Sequence, residues 1–338
     1  MSPDYDAGAP GMAGRRTGGG FMGSPYAAKP AGHAFMLGLP FDTGTHAFRV
    51  GARQGPTHVR ACSALIRRFH AEFNDADPLS LLDFVDCGDV DVTPSLIAPA
   101  FERIESVLSA LLAAAPSAVA YTVGGDGSVS LPQLRAVARR HPDLVVIHFD
   151  AHTDCVPPPA PGVHHSGTQF RYAATEGLVD PRASFHLGIR GSAPARAMVT
   201  HAEELGYRCI TTKAMLETGL TRLMTTVRDT VGQRPVYVCF DMDVLDPSCS
   251  PGVASPSWGG LLAREALQLV RELRGMNVVH FDLNTVSPPH DVQGLTGSLA
   301  AALLYEAMTL QGMRLTSSPN RADAVPQVQQ GQPDRLWP

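Results

Sequence analysis

Short apolar runs alternate with stretches of helical periodicity from residue 34 to about residue 310, and this alternation constrains the fold of the chain most. The runs occupy residues 34–39, 81–86, 118–123, 144–149, 184–189, 207–210, 235–240 and 277–283. Most are apolar at consecutive positions, as strands covered on both faces must be. Between them, apolar residues recur at helical spacing near 57–69, 95–115, 129–140, 194–205, 216–231, 262–274 and 296–310. Strands and helices in alternation predict an α/β fold, a three-layer α/β/α arrangement around a mainly parallel sheet. No repeat or linker interrupts residues 34–315, so a single domain over residues 33–315 is expected. Residues 1–32, rich in Gly, Pro, Ala and Ser, read as a mobile arm, and residues 316–338 as a similar tail.

With 338 residues, 44% of them hydrophobic, the chain can bury a large core. A formal charge of -5 argues against nucleic acid as a partner, since phosphate binding needs a basic face. No apolar run is long enough to span a membrane. Arg15-Arg16 lacks the apolar stretch of an export signal, so a cytoplasmic location is expected. The 6 cysteines form no CxxC pair, and several lie inside apolar runs, which suits reduced thiols.

Polar residues, Gly and Pro collect in the segments that follow the runs: 38–55, 124–130, 151–171, 242–260 and 285–297. In a parallel sheet these segments share one edge, where ligands bind. Asp150, His152 and Asp154 follow the run 144–149. Residues two apart on an extended chain point the same way, so the three are expected to project together. Carboxylates and an imidazole aimed at one point suit a cation. Asp241 and Asp243 repeat the design after the run 235–240. Mixed oxygen and nitrogen donors favour Mn2+, Zn2+ or Ni2+ over Ca2+ or Mg2+. His148 shares a face with Asp150 and is expected to donate to it. His280 is expected in the core, and Cys155 and Cys249, beside the two clusters, in packing roles.

Together these segments resemble the ureohydrolases, the family of arginase and agmatinase, closest to the branch of proclavaminate amidinohydrolase and agmatinase. The resemblance runs from about Gly38 to about Leu310. It rests on Gly38-Leu39-Pro40-Phe41-Asp42, Gly51 to Pro56, Asp86 to Val90, Asp150-Ala151-His152-Thr153-Asp154, and Asp241 to Pro247 followed by Pro251-Gly252. It implies hydrolysis of a guanidino group by a hydroxide shared between two Mn2+ ions. In that scheme Asp150 and Asp241 bridge the ions, His152 and Asp243 complete one site, and Asp154 serves the other and orients the hydroxide. It also implies a small-molecule substrate and a homotrimer or homohexamer.

Three positions depart from the family pattern, all at the expected chemistry. Gly127 stands where the family has a His ligand, so the ion held by Asp154 should bind more weakly than its neighbour. Ser166 stands where a His follows the first metal segment, with His165 one residue earlier as a possible proton carrier to the leaving amine. Thr285 replaces a Glu that grips the guanidinium nitrogens. Trp258, in a loop that differs from the family's, could line the mouth or pack on a neighbouring subunit. The expected reading is a metal-dependent C–N hydrolase of altered specificity. The alternatives are an impaired paralogue serving as a binding or supporting subunit, and a hydrolase or lyase of an amide-like substrate without a guanidinium.

Overall fold

The computed structural model describes residues 19–44, 46, 48–94, 96–193 and 196–316. Its centre is an eight-stranded sheet built from β1 (Ala34–Gly38), β2 (Val85–Asp89), β3 (Val119–Val123), β4 (Val145–Phe149), β5 (Phe185–Ile189), β6 (Arg208–Thr211), β7 (Pro235–Asp241) and β8 (Asn277–Asn284). The spatial order is β2-β1-β3-β8-β7-β4-β5-β6, and every neighbouring pair is parallel. All carboxyl ends therefore lie on one edge. The expected three-layer α/β/α architecture is what the structure shows.

Alternation along the strands divides the core into two. Ala34 and Met36 of β1 belong to one hydrophobic cluster, Phe35 and Leu37 to the other. The first cluster holds the helices Leu220–Val231, Ala263–Arg271 and Leu295–Thr316; the second holds Ile97–Ala114 and Ser130–Ala138. Burial on both faces explains why the strands carry few polar residues. Among the described residues, no helix is long and apolar enough to cross a membrane. All six cysteines are free thiols.

Several expected boundaries need correction. The strand expected at 81–86 begins only at Val85, because Pro78–Leu82 is a short helix. Asp77 caps it by accepting from the amides of Leu79 and Ser80, and Pro78 occupies its first turn. The helix expected over 57–69 runs Gly55–Ser63. The helix expected over 216–231 is two helices, Thr212–Thr218 and Leu220–Val231, broken at Gly219, whose φ of 83° is unfavourable for other residues. A helix, Gln169–Thr175, occupies the end of what read as a loop. Of the expected arm, residues 19–32 pack against the domain: Phe21 is fully buried and its amide donates to Asp86. Residues 1–18 and 317–338 lie outside the described residues.

Candidate metal centre

The strand order brings the two acidic segments together. β4 lies beside β7 with Phe149 opposite Phe240, so Asp150 and Asp241 leave the sheet as neighbours. β8 lies on the other side of β7 with Asn284 opposite Asp241, which delivers Thr285 to the same place. β3 lies beside β8 and brings in Asp126 and Gly127. Four adjacent central strands thus supply one site.

The residues that the sequence singled out converge, though not by strand alternation. β4 ends at Phe149, and Asp154 has a left-handed φ of 52°, so the chain curls back on itself. The imidazole Nδ1 of His152 is 3.1 Å from Asp150 Oδ1 and 3.2 Å from Asp243 Oδ2. A 3-10 turn, Met242–Val244, lets the Asp243 amide donate to Asp241 Oδ1 at 2.7 Å. The Ala151 amide donates to Asp243 Oδ1 at 3.1 Å. Thr285 Oγ1 donates to Asp241 Oδ1 at 2.7 Å. Asp150, His152, Asp154, Asp241, Asp243, Gly127, Ser166 and Thr285 line a cavity of about 40 Å3, room for an ion or a water or two. Beyond it, a space of about 50 Å3 is lined by Asp42, His46, Arg49, Ser166, Ala254 and Ser255.

Supporting groups fix these donors. His148 Nε2 lies 2.9 Å from Asp150 Oδ2, as expected, and its Nδ1 faces His186 Nδ1 at 2.8 Å. Cys155 Sγ is 3.6 Å from His186 Nε2. One donor assignment satisfies the row: the thiol donates to His186, His186 to His148, and His148 to Asp150. Burial, with His148 beside it, keeps His186 well below its usual pKa and hence neutral. Arg190 donates from Nη2 to the carbonyls of Asp243, Leu245 and Ser257 at 2.6, 2.9 and 2.8 Å, clamping the loop that carries Asp243.

The electrostatics fit a cation. Burial pushes the carboxyls of Asp154, Asp241 and Asp243 up, and neighbouring carboxylates add to the push. Burial opposes the charge of Asp150 too, but His148 and His152 hold it well below the usual range. His152 is raised well above its usual value because Asp243 and Asp150 outweigh its burial. Four buried carboxylates against one imidazole leave an excess of negative charge at donor atoms that a divalent cation would neutralise. The donor set fits.

Two expected site residues lie elsewhere. His165 is not part of the cavity wall: its Nδ1 accepts from the Gly167 amide, and Ser166 takes the place on the wall. Trp258 projects from the surface, 75% exposed, while Ala254 and Ser255 of the same loop line the cavity. Cys249 Sγ donates to the carbonyls of Asp246 and Leu261, a packing role. His280 is fully buried, 2.8 Å from Gln133. Sequence reasoning missed Arg190, His186 and Gln169. The only signal was a polar residue at a strand end, inside a strand or at a helix start. A groove of about 350 Å3 beside Tyr121, Phe281 and Leu310 is lined by none of these residues.

Comparison with known proteins agrees with this geometry. Residues 33–310 match the model of the Arginase family. The chain is 41% identical over 293 residues to proclavaminate amidinohydrolase of Streptomyces clavuligerus, covering 85% of this chain and 92% of that one. The solved structure of the Streptomyces enzyme superposes with a TM-score of 0.82 at 38% identity, over 87% of this chain and 97% of that one. Guanidinopropionase of Pseudomonas aeruginosa is 40% identical over 294 residues, covering 86% of this chain and 90% of that one. A Trypanosoma cruzi formiminoglutamase solved with Mn2+ gives a TM-score of 0.75 at 26% identity, over 83% of this chain and 93% of that one. Its fold, its converging carboxylates and these relatives place the chain in the arginase family, whose members hydrolyse C–N bonds of amidino and guanidino compounds.

Proposed function

We propose that this protein hydrolyses a C–N bond of a short amidino or guanidino acid, with Mn2+ as its cofactor. One observation carries the reading: a complete set of Asp150, His152, Asp241 and Asp243 donors stands beside Thr285, a neutral residue whose hydroxyl is turned onto Asp241. Asp150, His152, Asp154, Asp241 and Asp243 would hold the cations. Bound there, the cations would lower the pKa of a water and supply a nucleophile at neutral pH.

The chain's own residues do the rest. His148 and His186 hold Asp150 in one orientation, and Thr285 and the Asp243 amide hold Asp241. Asp154 presents a carboxylate at the cavity wall that can accept a proton from the attacking water. Ser166, on the wall of both the inner and the outer space, is placed to contact substrate.

The lining also bears on substrate choice. Besides the metal-binding carboxylates, the inner wall offers Ser166, Ser255 and Thr285 hydroxyls and Asp126. Asp126 is already engaged by Thr43 and Ser128. A guanidinium cation therefore forgoes a charge-assisted contact of about 1.5–3 kcal/mol. Farther out, Arg49, whose guanidinium donates to the carbonyls of Pro251 and Val253, places a positive charge at the entrance beside Asp42 and Asp126, and a carboxylate tail could use it. Guanidinopropionase, by its name, acts on such an acid.

The test is a panel assay. Mn2+-loaded protein is incubated with short guanidino acids, formimino amino acids, arginine and agmatine, and urea, formamide and ammonia are measured. Release is expected from an acidic member, abolished by Asp150→Ala, with little from agmatine. Robust urea from agmatine would sink the specificity claim; no release from any member would favour the non-catalytic alternative.

A further inference from the structure

Gly127 and Gln169, 42 positions apart in the chain, exchange size across the cavity wall. A Cβ at Gly127 would stand 2.7 Å from Gln169 Nε2 and 3.4 Å from Asp154 Oδ2. The space that a side chain at 127 would enter is therefore already occupied by the Gln169 carboxamide. Gln169 opens the helix Gln169–Thr175 and is 1% exposed. Its Nε2 lies 2.5 Å from Asp154 Oδ2, and its Oε1 is buried with no hydrogen-bond partner. A buried carbonyl oxygen left in this state calls for a partner.

We propose that Gln169 is a metal-ligating residue, supplying to the cation held by Asp154 the donor that Gly127 cannot. The two ends of a carboxamide are nearly isosteric, so a half-turn about its last bond brings the oxygen to the place beside Asp154. The carboxamide already stands within hydrogen-bond distance of Asp154 Oδ2, so after the half-turn its oxygen and that carboxylate face the same point. A carboxamide oxygen is neutral. It therefore adds a ligand without adding to the excess of carboxylates already around the site. Side-chain donors from Asp150, Asp154, Asp241 and Gln169 then surround the second cation. The inference rests on the metal-centre reading above and deepens it.

The experiment reads metal rather than turnover. Protein stripped with chelator is titrated with Mn2+ by calorimetry, and bound manganese is counted by elemental analysis after desalting. Wild type is expected to show two sites, the weaker one that of Asp154. Gln169→Leu should weaken that site about ten- to hundredfold and leave the tighter one unchanged. Gln169→Glu, which keeps an oxygen, should retain both. Gly127→His with Gln169→Ala should also bind two ions, since the space then receives an imidazole. Gly127→His alone should not gain affinity, because Gln169 blocks it. Unaltered binding of both ions by Gln169→Leu overturns the proposal, as does a wild type that takes up only one ion. A wild type that binds none overturns the metal-centre reading itself.

Discussion

The hydroxyl of Thr285 donates a 2.7 Å hydrogen bond to Oδ1 of Asp241, joining the end of one central strand to a buried carboxylate on the next. Thr285, at a position where the family resemblance leads to the expectation of a Glu, is therefore not idle. It supports an acid that burial and Asp243 push toward its neutral form.

Thr285→Glu should restore a charged grip on guanidinium cations. A contact of about 1.5–3 kcal/mol corresponds to about ten- to hundredfold in kcat/KM for agmatine or arginine. Steady-state urea release checks this, and an unchanged ratio between acidic and cationic substrates would count against the assignment.

Removal of metal should destabilise the protein more at higher pH. For Asp154, Asp241 and Asp243 the folded pKa lies above the usual 3.8, so the metal-free fold binds more protons than the unfolded chain. Stability of that form falls as pH rises from near 3.8 through the raised values. Asp150, lowered by His148 and His152 against its burial, works in the opposite direction, but it is outnumbered. The gain in thermal midpoint on adding Mn2+ should thus be larger at pH 8 than at pH 5, as scanning calorimetry can show. An equal gain at both would refute the argument.

Far from the site, Glu306 accepts from His70 Nε2 at 3.0 Å and from Arg271 at 3.0 and 2.8 Å. Burial opposes its charge, yet Arg271 and His70 lower its pKa below the usual 4.5. Its stabilising effect is present above that value and lost as pH falls through the folded one. Glu306→Gln should cost about 1–3 kcal/mol near neutrality and much less in acid. Urea denaturation at pH 7 and pH 3.5 separates the two.

Trp258 is 75% exposed and stands outside both cavities. A large aromatic in this position suits a contact between copies of the chain in the expected homotrimer or homohexamer. Trp258→Ala should lower the mass seen by light scattering and leave KM unaltered. A shifted KM with unchanged mass would return the residue to substrate binding, and a monomeric wild type at micromolar concentration would end the assembly proposal.

Residue types and short-range order determined much of this protein. Most of the eight apolar runs read directly as strands, since burial on both faces leaves few other ways to cover them; the edge strand Arg208–Thr211 is partly exposed, and the run at 81–86 is strand only from Val85. Asp150, His152, Asp154, Asp241 and Asp243 were legible because acids at strand ends need a partner. The short helix at Pro78 was not read, because the apolar run beside it masked the Asp77-Pro78 cap. The geometry of the cluster was not legible. Alternation along an extended chain predicted that these side chains converge, and they do, but for a different reason, since β4 stops at Phe149.

Tertiary structure alone decided the strand order, and with it every contact between segments. Nothing local to Thr285 tells that it meets Asp241, since the contact exists only because β8 packs beside β7. His165 and Trp258 were placed in the site by sequence proximity and turned away by the path of their loops. Gln169 carried only the weak signal of a polar residue at a helix start. Its position matters because a glycine 42 residues earlier leaves space that only the folded chain brings within reach. Sequence specifies which groups are chemically capable, through periodicity and composition acting over a few residues. Packing of distant segments, driven by burial of the two apolar faces of the sheet, specifies which of those groups meet.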